Sequence, residues 1–191
     1  MKRSSSICVL IFAVASAVFG GEWKLENKAI AWSGATEGAM LHPVQLEDKI
    51  NGTILALTGE CFQVELGDGT VLKSSDFKIE GEPKIVALKT EPDSPVAAKH
   101  FPGRQLVVAF SAPDKNLAAE WRVILREGST YVRQELALRA TKDVLVKGIE
   151  LFDQKVARAA TQGKVDGSPV VAGHFFFGYE HPMARNTVDL P

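Results

Sequence analysis

The feature that most constrains the fold is a rhythm of short apolar runs separated by Gly, Pro, Asp and Asn. Runs of about four to eight residues bounded by such turn formers are typical of β-strands. The predicted strands lie at 30–32, 53–57, 61–66, 77–79, 84–88, 105–110, 120–126, 131–140, 144–152 and 175–179. The chain is therefore expected to be almost all-β.

The clearest pair of strands is joined by Glu127, Gly128 and Ser129. Along both predicted strands, apolar residues share one face. They are Trp121, Val123 and Leu125 on the first strand and Val132, Leu136, Leu138 and Ala140 on the second. Glu and Arg occupy most of the intervening positions, although Ile124 departs from the pattern. Side chains that alternate between apolar and polar along two neighbouring strands indicate an antiparallel hairpin with one polar face. Gly128 can adopt the backbone conformation that a tight turn between the strands requires.

A second hairpin is predicted at Gly67, Asp68 and Gly69. Surface loops are expected at 91–103 and 162–169, which are rich in Pro or in Gly and polar residues. The only helical turns predicted are at 156–161 and 116–119.

These patterns predict an antiparallel two-sheet sandwich with little helix, formed by one domain over residues 21–185. An apolar share of 46% and a charged share of 24% are ordinary for a folded globular chain, so a disordered chain is excluded. The net charge of -1 gives no excess of cations for nucleic acid. No Gly-rich phosphate loop is present, so no nucleotide and no cofactor is expected.

Residues 1–20 have the three parts of a secretory signal peptide: basic Lys2 and Arg3, an apolar run, and small residues. Cleavage after Ala17 and cleavage after Gly20 both remain possible on the sequence. The mature protein is expected to be secreted or periplasmic, with no membrane contact after removal of the signal. Removal would also take Cys8 and leave only Cys61, which is too few for an internal disulfide or a four-ligand metal site.

The most distinctive stretch runs from Gly173 to Met183 and reads Gly-His-Phe-Phe-Phe-Gly-Tyr-Glu-His-Pro-Met. It resembles the end of the N-terminal β-supersandwich domain of secreted bacterial α-galactosidase-like glycoside hydrolases. Segments 128–135 and 146–152 are similar to the preceding strands of that domain. The resemblance implies a galactose-mutarotase-like sandwich that sits against a catalytic barrel.

In that family the nucleophile and the general acid belong to the barrel, which would lie beyond Pro191. The resemblance thus implies a non-catalytic, carbohydrate-associated domain, with no catalytic residue in this chain and with carbohydrate or the missing catalytic domain as partner. Residues 186–191 carry no strand pattern and are interpreted as the start of a linker to that barrel, or equally as a frayed terminus.

The predicted contacts to carbohydrate or to a neighbouring domain are His174, Tyr179, Glu180 and His181. Glu180 has an alternative interpretation as a residue that fixes a loop or a strand end. No histidine has a third ligand at a recognisable spacing, so no metal site is predicted. Aromatic residues on both faces of 175–177 predict that this strand is buried on both sides.

Two other functions remain open on the sequence. The first is an autonomous enzyme of the aldose 1-epimerase type, in which a histidine and Glu180 carry protons on one sugar ring. The second is a polysaccharide-binding module whose aromatic side chains stack on sugars. Candidates for such stacking are Trp23, Trp32, Tyr131 and Tyr179, whereas Trp121 is assigned to the core by its alternation with Val123 and Leu125.

Overall fold

The structure is a computed structural model that describes residues 20–114, 116–181 and 183–188. The predicted signal peptide lies outside the described residues except for Gly20, and so does Cys8. Among the residues that the structure describes, no helix is long and apolar enough to cross a membrane.

The described residues form fifteen strands, which we number in chain order. They are β1 (Gly21–Glu26), β2 (Ile30–Glu37), β3 (Met40–Asp48), β4 (Thr53–Ala56), β5 (Gln63–Leu66), β6 (Val71–Lys73), β7 (Lys78–Ile79), β8 (Lys84–Leu88), β9 (Gly103–Ser111), β10 (Leu117–Arg126), β11 (Arg133–Ala140), β12 (Val146–Glu150), β13 (Ala160–Thr161), β14 (Val170–Ala172) and β15 (Phe175–Phe177). Two short 3-10 helices lie at Ser74–Asp76 and Ala97–His100.

All strand pairs are antiparallel. One sheet has the order β1-β2-β3-β4, and a five-stranded sheet has the order β11-β10-β9-β7 with β8 also paired to β9. Two three-stranded sheets have the orders β12-β5-β6 and β13-β14-β15. The predicted class, an antiparallel and almost all-β sandwich with little helix, is confirmed.

The core is formed by residues of the four-stranded and five-stranded sheets, and Phe62 and Val64 at the β5 strand also belong to it. Trp32 of β2 meets Trp121 of β10 edge to face, with ring centroids 5.9 Å apart. Both tryptophans are at most 1% exposed. Gly34 leaves room for the indole of Trp32, since a Cβ at this position would lie 2.5 Å from that ring. The two sheets are thus joined by large aromatic side chains, which bury the most apolar area per residue.

Both predicted hairpins are confirmed. β10 and β11 pair from Leu117 with Ala140 to Ile124 with Arg133, and Gly128 in their turn has a φ of 75°. β5 and β6 pair across the turn that contains Gly69, whose φ is 87°. Glycine reaches such positive φ values without the steric cost that a Cβ brings.

The two predicted helical turns are wrong. Residues 117–119 lie inside β10 and pair with both β9 and β11, because a central strand position satisfies their backbone groups on two sides. Residues 156–161 form a turn that leads into β13. The predicted loops at 91–103 and 162–169 are found, and the first contains the 3-10 helix at Ala97–His100.

The prediction that the Phe175–Phe177 strand is buried on both faces is also wrong. Phe175 is 7% exposed, whereas Phe176 is 67% exposed. β15 is the end strand of a three-stranded sheet, and within the described residues nothing covers its second face. Phe177 on the first face stacks on Phe152, with ring centroids 4.5 Å apart.

Cys61 is the one cysteine among the described residues, and its thiol is free and buried. The Sγ donates to the carbonyl of Leu41 over 3.4 Å. Burial raises the pKa of the Cys61 thiol, so the reactive thiolate is disfavoured. The thiol contributes to packing as a small apolar group.

Asn27 connects the two large sheets through hydrogen bonds. It follows β1, is 8% exposed, and donates from Nδ2 to the carbonyls of Arg126 (2.9 Å) and Ser129 (2.8 Å) in the β10–β11 region. Its Oδ1 accepts from the backbone N–H groups of Ala29 (2.8 Å) and Ile30 (3.0 Å). Both hydrogen-bonding ends of this amide are used, so the turn before β2 is fixed against the β10–β11 turn.

We predict that Asn27→Ala lowers the free energy of unfolding by about 2 to 3 kcal/mol, because it leaves buried carbonyls and N–H groups without partners. Urea unfolding followed by circular dichroism measures the change. Asn51→Ala is the matched control, since exposed Asn51 donates from its side chain only to Asp48 (2.6 Å) and should cost below about 1 kcal/mol. Equal losses in the two variants would refute a connecting role for Asn27.

Candidate functional site

An open groove of about 1190 Å³ lies among the described residues. One side comes from β2, β3 and the β3–β4 turn, and another from the β10–β11 hairpin. The chain from β15 to His181 forms a further wall. Strands distant in sequence therefore meet at this groove.

The four predicted contact residues, His174, Tyr179, Glu180 and His181, all line the groove. The β14–β15 turn positions the first of them, because Ala172 pairs with Phe175 and leaves only Gly173 and His174 between the strands. Gly173 has a φ of 60°, which suits a two-residue hairpin turn. His174 is thus at an exposed turn tip, and the other three follow β15 directly.

Glu180 belongs to a row of alternating charges that crosses β11 and β10. Its Oε2 lies 2.7 Å from Nη2 of Arg133, and Nε of Arg133 lies 3.4 Å from Oε1 of Glu135. Glu135 Oε2 is 3.6 Å from Nη1 of Arg122, which also pairs with Glu120. The ion pair with Arg133 attaches the chain after β15 to the β10–β11 hairpin.

Aromatic side chains provide the apolar part of the groove. Tyr131, Phe176 and Tyr179 line it and are 48%, 67% and 38% exposed. The Tyr179 and His181 rings meet edge to face with centroids 6.4 Å apart. Trp32, a predicted stacking residue, lines the groove but is buried in the core, so its ring is not available to a sugar. Trp23 does not line the groove.

Sequence reasoning missed the contribution of the β3–β4 turn. Asp48 lines the groove and accepts hydrogen bonds from the N–H groups of Ile50 (3.0 Å) and Asn51 (3.1 Å) and from Nδ2 of Asn51. The side-chain hydrogen bond from Asn51 lowers the pKa of Asp48, and the nearby His174 lowers it further. The Asn51-Gly52 pair is a hairpin signal, but only the fold shows that this turn faces His174.

These groups can bind a polar ligand more readily than they can transfer protons. The carboxylate of Glu180 is engaged by Arg133, and Nδ1 of His181 accepts from the N–H of Met183 over 3.1 Å. In the part of the chain that the structure describes, no three His, Cys, Asp or Glu side chains cluster as a metal site requires. Exposed aromatic faces beside charged and hydrogen-bonding groups are suited to a ligand with both apolar and hydroxyl surfaces.

We predict that Glu180→Gln speeds hydrogen–deuterium exchange across 175–181 and leaves exchange in β9 and β10 unchanged. The ion pair is exposed, 38% at Arg133 and 68% at Glu180, so the free energy of unfolding should fall by less than about 1 kcal/mol. Glu65→Gln is the control, because it removes a surface ion pair with Lys147 on the β5–β12 pair. If exchange at 175–181 does not respond to Glu180→Gln, this contact does not hold the segment.

No family model, no curated protein and no solved structure matches this chain.

Proposed function

We propose that this chain is a non-catalytic, carbohydrate-associated β-sandwich domain of a secreted glycoside hydrolase, and that it contacts carbohydrate in the groove. The observation that carries the proposal is the convergence of His174, Tyr179, Glu180 and His181 on one groove, beside exposed Tyr131. Export is proposed from the three-part pattern of residues 1–20.

The shape and chemistry of the groove support a sugar ligand. Its volume of about 1190 Å³ lies above the usual range for ligand sites, about 300 to 1,000 Å³, so the groove has room for more than one sugar ring. Tyr131 and Tyr179 offer ring faces for the apolar side of a sugar. Carboxylate and guanidinium groups nearby can accept from and donate to sugar hydroxyls.

The absence of hydrolysis is proposed from the state of Glu180. A retaining glycosidase needs two carboxyl groups about 5 Å apart on either side of the scissile bond. Glu180 is instead paired with Arg133, which is itself paired with Glu135. This ion pair directs the carboxylate of Glu180 towards Arg133, as expected for a residue that fixes the wall of the groove.

We predict that affinity electrophoresis retards the protein in gels that contain a galactose-bearing polysaccharide. Tyr179→Ala should weaken binding about tenfold, because it removes one stacking face from the groove. Phe101→Ala is the matched control, since Phe101 is 51% exposed but lies off the groove. Unchanged mobility in every glycan tested would overturn carbohydrate binding.

The proximity of two groove residues favours a second candidate function, an aldose 1-epimerase. His174 and Asp48 both line the groove and His174 lowers the pKa of Asp48, and a histidine with a carboxylate can open and close a sugar ring by proton transfer. Polarimetry on freshly dissolved α-galactose or α-glucose tests it. An epimerase would accelerate mutarotation, and His174→Ala would abolish the acceleration. A rate equal to that in buffer rules this function out and is the result expected for a non-catalytic domain.

A further inference from the structure

The outer edge of β11 has no strand beside it. Among the described residues β11 pairs only with β10, and its register runs from Arg133 to Ala140 without a bulge or a proline. An edge strand exposes a row of backbone N–H and C=O groups, and natural proteins usually protect such an edge with Pro, charged side chains, a bulge or a covering segment. β11 has no proline and no bulge, and its charged residues carry both signs, so its edge can still accept a strand with the complementary order of charges.

Hydrogen bonds next to the strand show which residues direct their backbone groups to the open edge. Thr141 N donates to Asn116 O over 3.0 Å, so Thr141 faces β10. On the other side of β10, Ala112 N donates to Leu117 O over 2.8 Å, so Leu117 faces β9. Leu117 is opposite Ala140, and orientation alternates along a strand. The residues with outward backbone groups are therefore Gln134, Leu136, Leu138 and Ala140.

The sequence of β11 is complementary to itself in the antiparallel direction. If a two-fold axis passes through Ala137, Leu136 is opposite Leu138 of a second copy, and Gln134 is opposite its Ala140. All four residues have outward backbone groups, so each facing pair can exchange both of its hydrogen bonds. The same register places Glu135 opposite Arg139 of the second copy, twice by symmetry.

The side chains add attraction to this register. Arg139 is exposed, and its side chain has neither an ion pair nor a hydrogen bond within the described part of the chain. Opposite charges directly across an antiparallel pair are stabilising, whereas like charges are destabilising. On the other face, Leu136 and Leu138 are only partly buried against the core, so a second copy would remove more of their surface from water.

We propose that two copies of this chain associate through their β11 strands, so that the five-stranded sheets join into one continuous antiparallel sheet. The two-fold axis passes through Ala137, and the contact is isologous. Because residues 134–137 also line the groove, the second copy lies beside it. This association does not depend on the proposed carbohydrate function.

Sedimentation equilibrium of a protein that begins at Gly20 tests the association, at concentrations up to about 100 µM. The wild type is expected to dimerise, and Arg139→Glu should raise the dimer dissociation constant at least about tenfold, because it places Glu opposite Glu135 twice. Arg139→Lys keeps the charge and should keep the dimer. Lys84→Glu makes the same charge change on exposed β8, at another edge of this sheet, and should also leave the dimer intact.

The proposed register of the two β11 strands can be tested by exchanging the charges at positions 135 and 139 between two chains. Glu135→Arg alone should likewise weaken the dimer at least about tenfold, and an equimolar mixture of Arg139→Glu and Glu135→Arg should form a heterodimer, because both cross-strand pairs are again opposite in charge. Circular dichroism establishes that each variant is folded. A monomeric wild type at about 100 µM, or a dimer that withstands Arg139→Glu, would overturn the proposal; the second result would place the contact on another edge.

Discussion

The packing of Trp32 against Trp121 is the contact on which the rest of the structure depends. The two indoles come from different sheets, meet edge to face at 5.9 Å, and are excluded from solvent. Their size sets the separation of the two sheets, which in sandwiches is about 10 Å. Trp32 also lines the groove, so one side chain belongs both to the core and to the candidate site. The shape of the groove is therefore tied to the packing of the sandwich.

Local patterns were sufficient for the hairpins, because side-chain alternation and a turn glycine lie within one short stretch of sequence. They failed for β3, which contains Pro43. Proline within a run argues against a central strand unless a bulge accommodates it. Here the pairing of β2 with β3 shifts between Ser33 and Gly34, so that Gly34 faces Pro43 while Ser33 faces Gln45. The irregularity accommodates the proline, and it depends on a partner strand that the sequence of β3 does not reveal.

The residues of the candidate site likewise include some that local sequence predicts and some that it does not. One distinctive segment, residues 173–183, was enough to predict four site residues together, because it contains His174, Tyr179, Glu180 and His181. Asp48 and Arg133 are far from this segment in the sequence, and only the fold brings their strands to the same groove. Phe176 was misjudged because aromatic content on both faces does not reveal whether a strand has a neighbour on each side. Contacts within one segment can be predicted, whereas contacts between distant strands require the fold.

One wall of the groove is attached to the sandwich by the ion pair between Glu180 and Arg133. The core is apolar and responds little to ions in solution, but an exposed ion pair is screened, with a Debye length of about 8 Å at physiological ionic strength. Rising salt would loosen the segment after β15 while the sandwich behind it stays intact. The protein thus combines a rigid interior with a groove whose width is sensitive to the ionic strength of its surroundings.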